Sequence, residues 1–524
     1  MARSSVSFVL GTESLGQSAQ SLDHVSGICL YGTAPGSFAT NAYQPVFSVA
    51  DAESKGITND YSDETKAQAI YTVSGTVTIG DTFAMTVTEK VPVSSTNPTG
   101  TITVDLGTAT VSTAATATGA ATDIAAKINA GTYTHGYTAS FALGVVTITA
   151  REGVGIMLNP AVSTNPLAVT VTGTSTGAIT QQFGTGSGGA TVGVYSKKAI
   201  WHYLISRFFF GNPTGKLWVG FFSSASSTFA DVVTLAQAAD GEIRQMAVYD
   251  FTATNVATVT ANGTKLQARA EDLFAAYMPV GSILYAPNIK AVSDPSTLEN
   301  QQDEANYYVT TAIDQDGEAE GAQLFINSGV SITDVGGALG VMSAAAVNQN
   351  IGEIRAFNIS DGTEMAVPAL SNGNKIKSLA PSLLDQLDSY RYLFATNVPN
   401  VTGTYINNDW SDVSQTSPYY RISRNRVMSK AVRLVYAAVV PLLKSQIQLN
   451  TDGTISDVSI EVFSGAVIPV GAQMRAAGEI SNMKVTISNT QNILSEGKIV
   501  IGVAIQPTVS ADFIEVNMSF KAKL

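Results

Sequence analysis

Apolar and polar residues alternate in two short segments. Ile514, Val516, Met518, Phe520, Ala522 and Leu524 alternate with Glu515, Asn517, Ser519, Lys521 and Lys523. A period of two predicts a half-buried β-strand over residues 513–524. Val6, Phe8 and Leu10 alternate with Ser5, Ser7 and Val9, and a polar stretch over residues 11–19 follows. Residues 1–25 therefore read as an arm on a flexible tether, which at roughly 3.3 Å per extended residue reaches several tens of ångströms. Bare strand edges invite partners. The two strands predict a subunit that grips its neighbours, with Val6, Phe8, Leu10, Ile514, Val516, Met518 and Phe520 as the exchanging side chains.

The pattern between these ends divides the chain. The apolar run Ile28-Cys29-Leu30-Tyr31 predicts a buried strand. Residues 71–189 are dominated by Thr, Ser, Ala, Gly and Val. They predict strands over 73–79, 83–88, 101–104, 138–141, 145–149 and 167–172, and one helix over 122–129 that stops at Gly131. This is an inserted, mostly antiparallel β-domain, left through the glycine-rich linker 184–189. Residues 26–70 and 190–400 form an α/β domain. Its helices over 197–210, 229–238, 266–277, 319–327, 338–347 and 382–387 alternate with strands over 216–222, 245–249, 282–285, 307–313 and 391–395.

Residues 401–512 form a C-terminal α/β domain. A helix over about 422–443 stacks Val427, Ala431, Val435, Val439 and Leu442 on one face, and Pro441 is expected to end or bend it. A second helix starts near Ser456 and is interrupted at Pro469. Strands follow over 484–488 and 498–506, and the apolar run Val500, Ile501, Val503, Ile505 marks the latter as a central strand. The fold class is multi-domain α/β (α+β), with an inserted Thr-rich β-domain and extended strand arms.

Composition narrows the function. Charged residues are only 13% of the 524 residues and the net charge is −12, which suits a densely assembled protein and disfavours nucleic-acid binding. No apolar run reaches membrane-spanning length, and the N-terminus lacks a signal peptide's apolar core, so assembly in the cytoplasm is expected. The single cysteine, Cys29, reads as buried and structural. One segment departs from the acidic background: between Val413 and Thr451 there is no Asp or Glu. Arg421, Arg424, Arg426, Lys430, Arg433 and Lys444 make it +6 and leave the remainder at −18 against the total of −12. Two readings stay open, pairing within the chain or contact with a tube or an acidic neighbour.

Candidate chemistry is sparse. His24, His135 and His202 have no ligand spacing. Residues 314–320, Asp-Gln-Asp-Gly-Glu-Ala-Glu, lack the ligand order of a calcium loop and read as a solvated acidic turn. The glycines of 184–189 lack the Lys-Ser/Thr of a phosphate cradle. No nucleophile elbow or catalytic dyad is evident, so the reading is of a non-enzyme without cofactor or metal.

The C-terminal block resembles a known family. Thr402-Gly-Thr-Tyr-Ile-Asn-Asn-Asp-Trp-Ser-Asp412, followed by Tyr419-Tyr-Arg-Ile-Ser-Arg-Asn-Arg-Val427, is similar to the C-terminal domain of contractile tail sheath proteins, as are Asp452-Gly453 and Gly478-Glu479-Ile480. The resemblance implies a virion tail or injection-system subunit that stacks as hexameric rings around an inner tail tube protein, with baseplate and tail terminator proteins as further partners. It also implies arms that complete sheets on neighbours, tethers 11–19 and 508–512 acting as hinges, and rigid-body contraction that drives the tube through a target envelope. Direct nucleic-acid contact and membrane insertion are not implied. The competing reading is a secreted or surface β-rich adhesin-like protein, suggested by the Thr-rich region.

Overall fold

The computed structural model describes residues 22–155, 166–183, 191–251, 256–512, 515, 516 and 518. It opens with β1 (Val25–Tyr31), buried at every position, as befits a strand covered on both faces. β2 (Tyr43–Val46) and α1 (Val49–Ser54) follow, the helix capped by the Ser48 hydroxyl.

The chain then enters a Thr-rich unit. It contains β3 (Gln68–Gly75), β4 (Thr82–Lys90), β5 (Thr101–Thr110), α2 (Ala117–His135), β6 (Thr138–Ala142), β7 (Val145–Thr149), β8 (Leu167–Thr172) and β9 (Ser175–Gln181). Two antiparallel sheets, β6-β7-β3-β9 and β5-β4-β8, share a core with α2. Strict alternation builds it: Phe83, Met85 and Val87 of β4 are buried, whereas Thr82, Ala84, Thr86 and Thr88 turn outward. α2 is longer than its sequence predicts and runs through Gly131. Packing of Ala120, Ala121, Ile124 and Ile128 holds it, and Gly136, at φ +78, ends it. β5 also outruns its expected end at residue 104.

The chain returns beside its point of departure, where Thr65 and Val194 exchange backbone hydrogen bonds of 3.0 and 2.8 Å. α3 (Lys197–Gly211), β10 (Lys216–Phe222), α4 (Ala230–Ala238), β11 (Gln245–Asp250), α5 (Val256–Ala275), β12 (Ile283–Pro287), β13 (Ala305–Asn306), β14 (Val309–Thr311), β15 (Asp314–Asp316), α6 (Glu320–Ser328) and α7 (Val335–Ala344) follow. The main sheet has the order β14-β12-β11-β1-β10-β2 and is parallel except for β2. Side chains alternate across it. Ile28 and Leu30 join a core with Leu204, Phe208 and Leu339 of α3 and α7. Cys29 and Tyr31 face the opposite core, with Val232 of α4 and Leu266 of α5. Cys29 is fully buried, and burial followed by the nearby Asp231 raises its thiol pKa.

Some expectations fail in this body. The strand expected over 307–313 is shortened to β14, which joins the main sheet, while β13 just before it pairs with the later strand Asp412–Val413. The acidic turn expected over 314–320 is not solvated: Asp314 and Asp316 are fully buried in β15. The Asp316 carboxylate accepts from the backbone N–H groups of Glu318, Ala319 and Ala322. It thus serves the first turn of α6, where unpaired donors favour an anion.

β16 (Pro368–Leu370), α8 (Pro381–Ser389), β17 (Ala395–Thr396), β18 (Tyr405–Ile406) and β19 (Asp412–Val413) complete the body. Of the strand expected over 391–395, only β17 forms. The C-terminal block comprises α9 (Ile422–Val439), α10 (Asp457–Ala476), β20 (Ile480–Ile487), α11 (Ile493–Glu496) and β21 (Ile501–Pro507). α9 passes into a 3-10 turn at Pro441. Pro469 does not interrupt α10, which continues for another two turns. The N–H that proline lacks would bond the Gly465 carbonyl, and both residues lie on the exposed face, where that carbonyl is open to solvent.

Candidate assembly surface in the C-terminal block

The block holds a small core. Val427, Ala431, Val470, Met474 and Ile480 pack with Val347 of the body. β20 and β21 pair antiparallel, with a bulge at their open end. Among the described residues neither strand has a second partner, so the second neighbour that the apolar run of β21 predicts is not seen there. Its Ile501, Val503 and Ile505 are only half-buried. The surrounding surface is apolar: Leu443, Val458, Val462, Ile468, Leu494 and Val500 are between 52% and 76% exposed. Val458 and Val462 sit one turn apart on α10 and face away from the small core.

The expected exchange residues divide. Val6, Phe8, Leu10, Ile514 and Phe520 lie outside the described residues, as do both arm strands for most of their length. Val516 and Met518 are described and exposed, at 71% and 89%.

Most of the basic cluster is paired within its own chain, the first of the two readings left open by the sequence. Arg421 donates to Asp409 at 2.6 Å and to Asp512. Arg426 is buried and donates to the carbonyls of Ala345 and Ala346 at 3.0 and 3.1 Å; burial lowers its pKa to about 10. Lys430 bridges Asp23 and Glu479 at 2.6 and 2.5 Å. Burial opposes its charge, but the two carboxylates raise its pKa. Arg433 donates to the Pro279 carbonyl at 2.8 Å, and burial with the Arg244 charge lowers its pKa to about 9. Only Arg424 is loosely held, lying over the Tyr420 ring. The physical reason is that α9 is the joint between body and C-terminal block, and its cations meet the body's carbonyls and carboxylates.

Sequence reasoning missed the joint's other half. Trp410 lies under the guanidiniums of Arg391 and Arg421, 4.3 and 4.6 Å from its ring centroid, and donates to Asp388 at 3.0 Å. The Asp409 carboxylate accepts from the Ser423 hydroxyl and backbone at the start of α9. Burial raises its pKa, against the opposing pull of Arg421. The Asp-Trp turn signals this site in the sequence, but its partner Arg391 carries no signal.

The tether over 508–512 is also anchored. Asn348 donates to Thr508 at 2.9 Å, and Arg421 reaches Ser510 and Asp512. Asn348, Thr508, Ser510 and Asp512 line a groove of about 740 Å³ with Asn350, Asn407, Asn408 and Gly478. The segment expected to act as a hinge is thus held against the body and the joint in this chain. Among the described residues no cluster of three or more His, Cys, Asp or Glu is placed to hold a metal, and no helix is long and apolar enough to cross a membrane.

These features define a mixed α/β protein of several sheets whose C-terminal hairpin has no further strand among the described residues. The chain belongs to the DUF2586 family: residues 59–410 match its N-terminal domain and residues 419–524 its C-terminal domain. No curated protein matches the sequence. Solved structures similar to it include the sheath tail protein Lin1278 of Listeria innocua, with 11% identity over 93% of this chain and 92% of that one and a TM-score of 0.41. The PVC sheath complex of an extracellular contractile injection system, in its contracted state, has 12% identity over 62% and 81%, with a TM-score of 0.40. A chain of the anti-feeding prophage baseplate has 13% identity over 61% and 80%, with a TM-score of 0.41.

Proposed function

We propose that this chain is a structural subunit of a contractile tail sheath. It polymerises with copies of itself as stacked rings around an inner tube and contracts by rigid-body rearrangement of subunits. The observation that carries this reading is the C-terminal hairpin. A two-stranded sheet is marginal alone, and among the described residues it has an exposed apolar rim and no partner on either edge. Strands from neighbouring chains, supplied by residues 5–10 and 513–524, would complete it by main-chain pairing. The sheath-like residues 402–432 form the joint that carries this hairpin. Residues 71–189 act as an outward-facing domain. The inner tube, a baseplate and a terminator are the remaining partners, and the work comes from new contacts between subunits, without catalysis.

The test is truncation. Chains lacking 1–19 or 513–524 are expected to fold with unchanged circular dichroism and to form no striated tubes in negative stain, where the full chain does. Normal tubes from either truncation overturn the exchange reading. Tube formation after replacing 71–189 with a short linker is expected as well.

A further inference from the structure

The chain that follows β21 does not leave from the hairpin. Pro507 is the last residue of the ladder and pairs opposite Ile480 at its open end. Within five residues the chain is bound three times, through side chains, to the body and to the joint. Asn348 donates to the Thr508 hydroxyl at 2.9 Å, Arg421 donates to the Ser510 hydroxyl at 3.4 Å, and Arg421 forms an ion pair with Asp512. Asn348 also donates to the Gly478 carbonyl at 3.0 Å, which ties the entry to β20 to the same side chain.

Arg421 is held from behind. Its side chain is 5% exposed, against 24% for Asp512, and it is paired with the fully buried Asp409. Its guanidinium lies over Trp410, whose indole N–H is fixed by Asp388 of α8. Arg391, over the same ring, donates to Gln302 at 3.2 Å. From Asp512 a chain of charged and aromatic contacts thus leads into the α/β body without passing through β20 or β21.

We propose that Arg421 and Asp512 form a clasp that takes tension applied to the C-terminal arm and delivers it to the body. This inference rests on the arm-exchange reading. The mechanical reason is the geometry of the hairpin. Tension on residue 508 would act at the open end of an antiparallel ladder and part its hydrogen bonds one pair at a time. A two-stranded sheet offers little resistance to that. Tension arriving at Asp512 instead meets a charge-assisted contact to one guanidinium nitrogen, while the other is held by the buried Asp409. The clasp keeps the hairpin's register intact while a neighbour pulls.

The experiment is single-molecule pulling on the full chain in an optical trap, with one handle at the C-terminus and the other on a cysteine introduced as Ser54→Cys, an exposed position in α1. The native chain is expected to show a distinct first rupture and then opening of the hairpin. Asp512→Asn is expected to lose the first event and to open the hairpin at lower force, and Asp512→Glu to restore both. Identical traces for native and Asp512→Asn chains overturn the clasp, as does hairpin opening before any other event in the native chain. Unchanged circular dichroism of Asp512→Asn establishes that its trace reports the arm. The trap reads one chain and tube formation is scored separately by microscopy. A first rupture without tubes overturns the sheath reading alone, and tubes without a first rupture overturn the clasp alone.

Discussion

Arg207 donates to both carboxylate oxygens of Asp334, from Nε and Nη2, at 2.9 Å each. The pair is buried between α3 and α7, and the same guanidinium reaches the Ile359 carbonyl. Asp334 also caps α7 through the Gly337 N–H. Asp314 lies close enough for the Asp334 charge to add to the effect of burial in raising its pKa, and its oxygens have no hydrogen-bond partner among the described residues. Arg207→Met leaves two carboxyls in the core without their cation. Removing one partner of a buried pair costs about 3–5 kcal/mol, and urea denaturation is expected to show a loss of that size. A midpoint unchanged from native would contradict the assigned role.

Acidic groups give the fold a pH dependence. Asp412 is fully buried and accepts from the Thr311 hydroxyl and backbone; burial raises its pKa to about 7. Burial, followed by the Asp316 charge, raises Glu364 to about 7 as well. Both pKa values lie above those of the unfolded chain. The folded state therefore holds protons that the unfolded chain releases from about pH 4 upward. Their contribution to stability is full below that range and is lost as pH rises through about 7. The melting temperature is expected to fall from pH 5 to pH 8, and more gently in Asp412→Asn. Equal slopes for native and variant would refute the assignment.

Arg424 and Arg426 separate surface contact from folding. Arg424→Glu replaces a loosely held side chain and is expected to leave the melting temperature within about a degree or two, since surface changes cost under roughly 0.5 kcal/mol. Arg426→Glu places a carboxylate against the carbonyls of Ala345 and Ala346 and should prevent soluble expression. If Arg424→Glu folds but forms no tubes, the contact with a neighbour resides there. Normal tubes would show that α9 serves only its own chain.

Gly155 fixes the Thr-rich unit to the body. It adopts φ +56, and a Cβ there would lie 2.2 Å from the Asn327 carbonyl oxygen. Asn327 itself donates to Gly153 at 2.5 Å, and Glu64 accepts from Gly153 and Gly155. Gly155→Ala is expected to destabilise this seat by more than about 1 kcal/mol. In calorimetry it should split off an early transition as the unit uncouples. A single transition at the native temperature would show that the seat is not structural.

Much of the body was legible because period and burial agree there. The helices at 197–211 and 230–238 and the strands at 216–222 and 245–250 fall within a residue of expectation. What was missed depended on neighbours that periodicity does not contain. Gly131 looks like a stop, but packing carries α2 past it to Gly136. Asp314 and Asp316 look solvated until Arg207 and the first turn of α6 are brought beside them. The apolar run at 500–505 implies a central strand, yet its second neighbour is not among the described residues. The cations of α9 are visible in the sequence as a cluster, whereas their partners Asp23, Glu479 and the carbonyls at 345–346 come from three distant segments.

The bridge between Thr65 and Val194 brings the two ends of a long excursion within one hydrogen-bonded pair. Whatever is spliced between them needs only neighbouring termini, because the register of β1 with β10 is set by contacts outside the loop. The position is therefore a natural docking port for foreign cargo. On the sheath reading proposed above, a binding domain or enzyme grafted there would be repeated on every subunit of the assembly.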